Sequence, residues 1–164
     1  MSEYGKQLLE KQQLRAIYAI NERQFRNYVK NILKQQKTRN IQDAASEFLW
    51  ALERRLDNVV YRMGFAPSRS VARQLVSHGL FSVNGKRVTV PSYRVRISDA
   101  VQFNCANLNK AIYRNISGNL KQYKPSPWLQ VDSDKMEGKV VSLPHIEDVG
   151  DTSNLQMIFE YYAR

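Results

Sequence analysis

Residues 52–88 constrain the fold more than any other part of this chain, because several local patterns follow one another there. Apolar residues recur at helical spacing over 52–63, so one face of a helix is apolar. Gly64 is placed to end that helix, since glycine adopts positive φ at little cost. Pro67 disfavours helical geometry for the residue before it and breaks the chain direction. A second apolar face over 71–76 then predicts another short helix after a sharp turn.

The second helix has its own boundary signal and leads into a hairpin. Ser68 or Ser70 can cap its start by accepting a backbone N–H. Asn84 and Gly85 predict a type I′ turn, because both central residues of that turn need positive φ. Apolar residues that alternate over 81–103 predict short strands that cover the two helices. The segment is therefore expected to form an α+β module of two helices packed on a short antiparallel sheet.

Basic residues are concentrated on this scaffold. Arg69 and Arg73 are four residues apart and therefore share one face of the second helix. Acidic residues are scarce, because only Asp57 lies between Arg54 and Arg96. Arginine presents a planar fork of donors that matches phosphate oxygens and can stack on bases, so the array suits a folded polyanion such as RNA. A solvated basic surface without a partner remains the alternative for any single residue. The candidate RNA-binding residues here are Arg54, Arg55, Asn58, Arg62, Ser68, Arg69, Arg73, Gln74, Ser77, His78, Asn84, Lys86 and Arg87.

The net charge of +10 is unevenly distributed along the chain. Residues 1–100 hold 18 Lys and Arg against 8 Asp and Glu, whereas residues 101–164 hold 7 of each kind. The surface that faces a polyanion is therefore expected within the first hundred residues. The N-terminal candidates for contact with an RNA backbone are Lys6, Lys11, Arg15 and Arg23, although a solvated helix face explains the same residues.

The two ends of the chain are expected to be helical. Residues 1–50 show helical apolar spacing, interrupted by a polar and basic loop at 35–40. Asp43 is the expected N-cap of one long helix that continues through Leu56 into the module. Residues 155–162 also have helical apolar spacing and are expected to dock on the N-terminal helices.

The segment between the module and the last helix gives weaker signals. Residues 104–124 are hard to assign, and the basic and aromatic residues at 121–124 are interpreted as a plain loop. Trp128 follows two prolines and is expected to be a packing residue rather than a stacking platform for bases. Residues 140–143 can add a short strand.

The order of the motifs along the chain resembles bacterial small-subunit ribosomal protein four. The module is similar to the RNA-binding module named after that family, which also occurs in some pseudouridine synthases, some bacterial tyrosyl-tRNA synthetases and a heat-shock RNA-binding protein. The similarity covers essentially all 164 residues and is weakest over 100–122. The motifs that carry it, in chain order, are SEYGKQLLEKQQLRAIY, ERRLDNVVYRMGFAPSRSVARQLVSHG, VNGKRVTVPSYRV, PSPWLQVD and LQMIFEYYAR.

This resemblance implies a division of the chain into a helical lobe and an RNA-binding module. Residues 1–50 are expected to form the helical lobe, completed by about 125–164 from the C-terminus. Residues 51–113 are expected to form the module, and residues 114–164 an extension that packs back on the helical lobe.

The resemblance also implies a function. The chain is expected to be a structural component of the small ribosomal subunit in the cytoplasm. It is expected to bind 16S rRNA at a multi-helix junction of the 5′ domain and to nucleate assembly of that domain and the body. By the same resemblance it lies beside ribosomal protein five of the small subunit, near the path by which mRNA enters, and contributes to translational accuracy. No membrane, cofactor or small-molecule substrate is expected.

One departure from the family concerns metal binding. Family members usually carry a further N-terminal segment, often with cysteines that bind zinc or an iron–sulfur cluster, and this sequence starts near where that segment would end. Cys105 is its single cysteine, so neither a multi-cysteine metal site nor an intrachain disulfide can form from these residues. No metal ligand is predicted.

Other classes of protein fit the sequence less well. Arg55-Leu56-Asp57 resembles a pseudouridine-synthase motif in which an aspartate attacks the base, but Asp57 falls within a helix of the module and is expected to order Arg54 or Arg62. Two histidines and one cysteine provide no nucleophile–base pair, so no enzyme is predicted. A stand-alone RNA-binding stress factor is disfavoured by the C-terminal motif, and a DNA-binding regulator by the absence of dimerisation heptads.

Overall fold

The computed structural model describes residues 2–35, 41–104, 110–144 and 155–163. The chain divides into two compact units: unit 1 is Met1–Leu52 with His145–Arg164, and unit 2 is Glu53–Pro144. The described residues form seven helices and a five-stranded antiparallel sheet, which confirms the α+β prediction. The helices are α1 (Glu3–Tyr18), α2 (Glu22–Gln35), α3 (Ile41–Glu53), α4 (Leu56–Met63), α5 (Arg69–Ser77), α6 (Lys110–Gln122) and α7 (Leu155–Tyr162).

Unit 1 is a group of helices around one apolar core. Its first helix is capped by Ser2, whose hydroxyl accepts a hydrogen bond from the backbone N–H of Gly5 at 3.0 Å. Helix α7 packs against α1 and α2, as its apolar spacing predicts. The Phe48 ring lies edge-on to Phe25 and Phe159, with ring centroids 5.6 and 5.7 Å apart. The C-terminal helix therefore completes the core that the N-terminal helices begin.

The long helix expected to start at Asp43 and pass through Leu56 is wrong in both respects. Helix α3 already begins at Ile41, and the chain becomes extended at Arg55 (φ −62°, ψ 139°) before α4 starts. Backbone hydrogen bonds to a distant segment stabilise this break, and helical periodicity cannot reveal such bonds. They are Val95 N to Arg54 O at 2.8 Å, Leu56 N to Tyr93 O at 2.9 Å and Asp57 N to Pro91 O at 3.1 Å.

Unit 2 packs its helices with a sheet in the strand order β2-β1-β3-β5-β4. The turn between the first two strands has Asn84 at φ 52° and Gly85 at φ 85°, which confirms the predicted type I′ geometry. Ser68 caps α5, because its hydroxyl accepts from the backbone N–H of Val71 at 3.2 Å. The strands are β1 (Phe81–Val83), β2 (Lys86–Arg87), β3 (Ala100–Phe103), β4 (Leu129–Asp132) and β5 (Glu137–Val140).

The C-terminal part of the sheet differs from the expected domain boundaries. Strand β5 pairs with β3, so β4 and β5 belong to unit 2 and not to the helical lobe. Trp128 is 1% exposed and confirms the expected packing role, but its core is that of unit 2. Over 84–99, the expected alternating strands reduce to β2 and the isolated bridge between Arg55 and Arg94. Pairing with a distant strand, rather than local alternation, decides which residues join the sheet.

Gly64 gives a first testable prediction about unit 2. Its φ is 96°, and a Cβ added there would lie 2.5 Å from Cδ1 of Tyr123. We expect Gly64→Ala to lower the free energy of unfolding by about 1–2 kcal/mol through backbone strain alone, and further through the clash. Gly118→Ala in α6 is the matched control, since nothing lies within 4 Å of its added Cβ and alanine favours a helix. Urea unfolding in which Gly64→Ala proves as stable as Gly118→Ala would contradict this account.

Candidate nucleic-acid interface

Two buried carboxylates organise the arginines of unit 2, and the first belongs to Glu53. Glu53 is 0% exposed, and its oxygens accept from Arg62 through Nη2 at 2.8 Å and Nε at 3.2 Å. The Asn58 side chain donates to the same carboxylate and to the Glu53 backbone oxygen at 2.8 Å. The side-chain oxygen of Asn58, Oδ1, in turn accepts a hydrogen bond from Arg69 Nε at 2.8 Å. One acid therefore fixes an arginine on α4 directly and an arginine on α5 through an amide.

The second carboxylate is that of Asp57, which is 1% exposed. It accepts from Arg55 through Nε and Nη2, both at 3.1 Å, and it lies 3.6 Å from Arg73 Nε. It also accepts from the backbone N–H of Asn58 at 2.7 Å in the first turn of α4, where a negative charge is favourable. Asp57 thus orders arginines as expected, but these are Arg55 and Arg73 rather than Arg54 or Arg62.

Arg62, Arg69 and Arg73, here called the outer arginines, are only partly buried, and each is bonded to or paired with a more deeply buried group. The Arg73 side chain is 38% exposed, whereas that of Arg62 is 17% exposed and that of Arg55 only 2%. The Arg69 guanidinium also lies over the Tyr61 ring, with Cζ 4.6 Å from the ring centroid. Fixing the inner side of each guanidinium reduces the conformational entropy that binding a phosphate would cost. The arrangement suits recognition of a fixed polyanion shape.

The hairpin and the end of α5 form the second part of this surface. Arg87 Nε donates to the Gly79 backbone oxygen at 3.0 Å, so its cation lies at the C-terminal end of α5. Lys86 is exposed on β2. Gln74, Ser77 and His78 are exposed at the C-terminal part of the same helix. Cations and neutral hydrogen-bonding groups are therefore brought together on one helix and the adjacent hairpin.

Arg54, Arg94 and Arg96 form a further basic group, of which the sequence predicts only Arg54 as a site residue. Arg54 Nε donates to the Val95 backbone oxygen at 3.1 Å. Burial lowers the pKa of Arg54, and the neighbouring charges of Arg94 and Arg96 lower it further against the opposing effect of Asp99. Arg94 and Arg96 are exposed and were missed as site residues, although their alternation around Val95 in a segment poor in acids was visible in the sequence.

Comparisons with known proteins match both parts of the chain to known families. The family described as S4 domain matches residues 54–101, and the family described as Ribosomal protein S4/S9 N-terminal domain matches residues 1–49. A protein of Thermus thermophilus named small ribosomal subunit protein uS4 is 46% identical over 99% of this chain and 76% of its own length. Proteins of the same name from Solidesulfovibrio magneticus and Roseiflexus sp. are 43% and 41% identical over all of this chain and 76% and 78% of their own lengths. The chain belongs to the uS4 family.

Membership of the uS4 family confirms several predictions. The chain is a small-subunit ribosomal protein with an RNA-binding S4 domain, located in the cytoplasmic ribosome, and the family is not enzymatic.

Two kinds of feature are absent from the part of the chain that the structure describes. Among the described residues, no cluster of three or more His, Cys, Asp or Glu side chains could hold a metal ion. Over those same ranges, no helix has the length and apolar character needed to cross a membrane.

Four predicted contact residues of this uS4 chain have structural roles within unit 2, and two of them are buried. Arg55 and Asn58 are 2% and 1% exposed, so the structure corrects their expected role from direct contact to internal support: Arg55 pairs with Asp57, and Asn58 holds Arg69. The Asn84 side chain bonds Asp99 Oδ1 at 2.8 Å and the Ala100 N–H at 2.9 Å, which stabilises the hairpin loop. Ser68 likewise acts as a helix cap. A sequence pattern identifies polar residues but not which of them turn inward.

In unit 1, Lys6 and Arg23 are exposed, and Arg15 is half-buried at 4.0 Å from Glu22. Lys11 is 4% exposed, which corrects its predicted role as an RNA contact. Its ammonium donates to Glu22 at 2.8 Å and lies 4.9 Å from the centroid of the Tyr161 ring. Lys11 is therefore a structural residue that joins α1 to α2 and α7.

Glu22 gives a prediction about the pH dependence of unit 1. Burial by itself raises the pKa of Glu22, but hydrogen bonds from Lys11 and Tyr162 and the charges of Lys11 and Arg15 outweigh it, so the pKa lies below its ordinary 4.5. Because its pKa is lowered in the folded state, the Glu22 carboxylate stabilises the protein at pH values above 4.5. This contribution is lost as the pH falls below 4.5. Glu22 is 42% exposed, so solvent screening limits the contribution to about 1 kcal/mol or less.

We therefore expect Glu22→Gln to be less stable than the original protein at neutral pH. The difference should shrink as the pH is lowered through and below about 4.5, where glutamate is itself neutralised. Urea unfolding at a series of pH values, followed by circular dichroism, measures this difference. A difference that stays constant across the acidic range would show that the carboxylate charge is not what stabilises this contact.

Proposed function

We propose that this uS4 chain binds the multi-helix junction of the 5′ domain of 16S rRNA directly and thereby nucleates assembly of that domain and the body of the small subunit. The observation that carries this proposal is the set of outer arginines, Arg62, Arg69 and Arg73, held at fixed positions by the buried carboxylates of Glu53 and Asp57. Such an array is prepared for phosphates at defined positions, as a folded junction presents them.

The physical basis is recognition of RNA shape. The deep and narrow major groove of A-form RNA hides its bases, so a protein reads phosphate positions and 2′-hydroxyl groups instead. The arginines provide charged donors for phosphates. Gln74 and Ser77 are exposed on α5 and can contribute hydrogen bonds to sugars or unpaired bases.

The position within the subunit is a further part of the proposal. Family membership supports a site beside ribosomal protein five of the small subunit, near the path by which mRNA enters. An interface there contributes to translational accuracy. Ribosomes assembled with variants of this chain, assayed for misreading of a reporter codon, test this part. Unaltered misreading by variants that change the contact with protein five would contradict it.

The direct test of RNA binding compares a 5′-domain transcript with a scrambled RNA of equal length over a range of salt concentrations. The logarithm of the affinity should fall with the logarithm of salt concentration, with a slope of roughly −0.7 to −0.9 per neutralised phosphate. We expect the preference for the 5′-domain transcript to persist at high salt, because shape recognition does not depend on counterion release alone. Equal binding of both RNAs at every salt concentration would reduce the surface to a non-specific basic patch.

A further inference from the structure

A cleft of about 380 Å³ lies within unit 2, next to the outer arginine Arg69. It is lined by Tyr61 from α4, by Tyr123, which follows α6, and by Pro67. The amide side chains of Asn119 and Gln122 also line it. This volume falls within the range of about 300–1,000 Å³ that is usual for small-ligand sites. The cleft thus combines aromatic rings with amide donors and acceptors.

The Tyr123 ring is held in place by the backbone around Gly64. The ring carbons lie where a side chain on residue 64 would be, with Cδ1 2.5 Å from the position of an added Cβ. The backbone N–H of Tyr123 donates to the backbone oxygen of Asn119 at 2.9 Å, so the backbone of Tyr123 continues the hydrogen-bond pattern of α6. The residue nevertheless remains 41% exposed. An aromatic ring fixed on one side and open on the other is suited to stacking.

Positive charge adjoins the cleft at Tyr61. Arg69 covers one face of the Tyr61 ring, with Cζ 4.6 Å from its centroid. Burial and the neighbouring Tyr61 raise the pKa of Tyr123, while the charges of Arg62 and Arg69 act in the opposite direction, so both cations lie within electrostatic reach of its hydroxyl. A ligand in this cleft therefore meets aromatic, amide and cationic groups together.

This combination matches one chemical class. A nucleobase has two π-faces that stack on aromatic rings and polar edges that pair with amides, and its own phosphate is anionic. A purely apolar ligand would leave the amides and the adjoining cations without complementary groups. We propose that the cleft between Tyr61 and Tyr123 binds one unstacked nucleobase of an RNA strand whose phosphates lie on Arg62 and Arg69. The occupant is a base within a strand, since the cations continue along α5 to Arg73 and can hold more than one phosphate. The proposal rests on the rRNA-binding function proposed above and adds a base site to its phosphate contacts.

The test uses two single-stranded RNA probes of equal length and charge, an oligoadenylate and the same ribose-phosphate strand without bases. Stacking of one base on an aromatic side chain is worth enough to give the oligoadenylate an advantage of roughly tenfold in affinity. Tyr123→Leu should remove most of this advantage, whereas Tyr123→Phe, which keeps the ring, should retain it. Asn119→Ala should weaken the oligoadenylate but not the abasic strand.

The matched control is Tyr113→Leu. Tyr113 is an exposed tyrosine on α6 that does not line the cleft, and its loss should leave the advantage unchanged. Urea unfolding of each variant shows whether it folds. Should Tyr123→Leu fail to fold, Asn119→Ala decides the question, because Asn119 is exposed on the helix.

Three outcomes overturn the proposal. Equal affinity of the original protein for both probes rules out a base site, as does an unchanged advantage in Tyr123→Leu. Free adenosine monophosphate that binds as tightly as the strand would show that the cleft serves a mononucleotide instead. The 5′-domain experiment separates the two proposals: if the original protein prefers the 5′-domain transcript but not bases, the base site fails while the rRNA-binding function stands. If it prefers bases but not the transcript, the rRNA-binding function fails.

Discussion

Replacing Arg69 and Arg73 together by glutamate is expected to weaken binding to the 5′-domain transcript by at least about 100-fold. Each side chain offers charge-assisted hydrogen bonds to a phosphate, worth about 1.5–3 kcal/mol each, and the reversed charge adds repulsion. The slope of log affinity against log salt should also become shallower by the contribution of about two neutralised phosphates. Filter binding or calorimetry at several salt concentrations measures both quantities.

The matched control reverses two cations elsewhere in unit 2. Lys135 lies in the turn between β4 and β5, and Lys139 lies on β5; both are exposed. Lys135→Glu with Lys139→Glu makes the same change in net charge, so a general loss of attraction would affect both double variants equally. Circular dichroism shows whether the helices of the arginine variant persist. Equal weakening by the two double variants would remove α5 from the specific interface.

Replacing Asp57 by alanine is expected to lower the free energy of unfolding of unit 2 by about 3–5 kcal/mol. Removing one member of a buried ion pair leaves the other charge buried without compensation, and Arg55 is 2% exposed. The change also removes the acceptor that bonds the N–H of Asn58 in α4. In a Trp50→Phe background, the fluorescence of buried Trp128 reports on unit 2 during urea unfolding.

Two further variants test the explanation of this large effect. Asp134→Ala removes an exposed carboxylate from the turn between β4 and β5 and should change stability by no more than about 0.5 kcal/mol. Arg55→Met with Asp57→Ala should lose less stability than the sum of the two single variants, because the double change leaves no arginine buried at that position. Strict additivity of the single losses would mean that Arg55 and Asp57 are not energetically coupled.

Local patterns predicted the S4 module well because its boundaries depend on local chemistry. Gly64 ends α4 through its positive φ, and Ser68 caps α5 with its own hydroxyl. The turn at Asn84 and Gly85 follows from the positive φ of both residues. The same locality explains α7, whose apolar spacing alone indicated its buried face. Each of these features is determined within a few residues of chain.

Local patterns did not predict the features that depend on distant partners. The break after Glu53 exists because the backbone near Arg55 bonds the segment around Tyr93, far along the chain. The interpretation of 121–124 as a plain loop missed that α6 continues to Gln122 and that the Tyr123 ring packs on Gly64. The expected loop at 35–40 lies largely outside the described residues. Long-range pairing leaves no periodic signal in one sequence.

The sequence by itself determined the class of this protein: a basic α+β chain with a single cysteine and an arginine-rich S4 module that is poor in acids. Composition and local spacing are enough for this, because they are properties of neighbouring residues. Only the tertiary structure decided which basic residues are exposed. Lys11 and Arg55 look like surface cations in the sequence, but both are buried against carboxylates. The physical reason is that burial depends on which segments the fold packs over each cation, and these can be distant in the chain: Lys11 lies against Tyr161 and Tyr162, and Arg55 forms a β-bridge with Arg94.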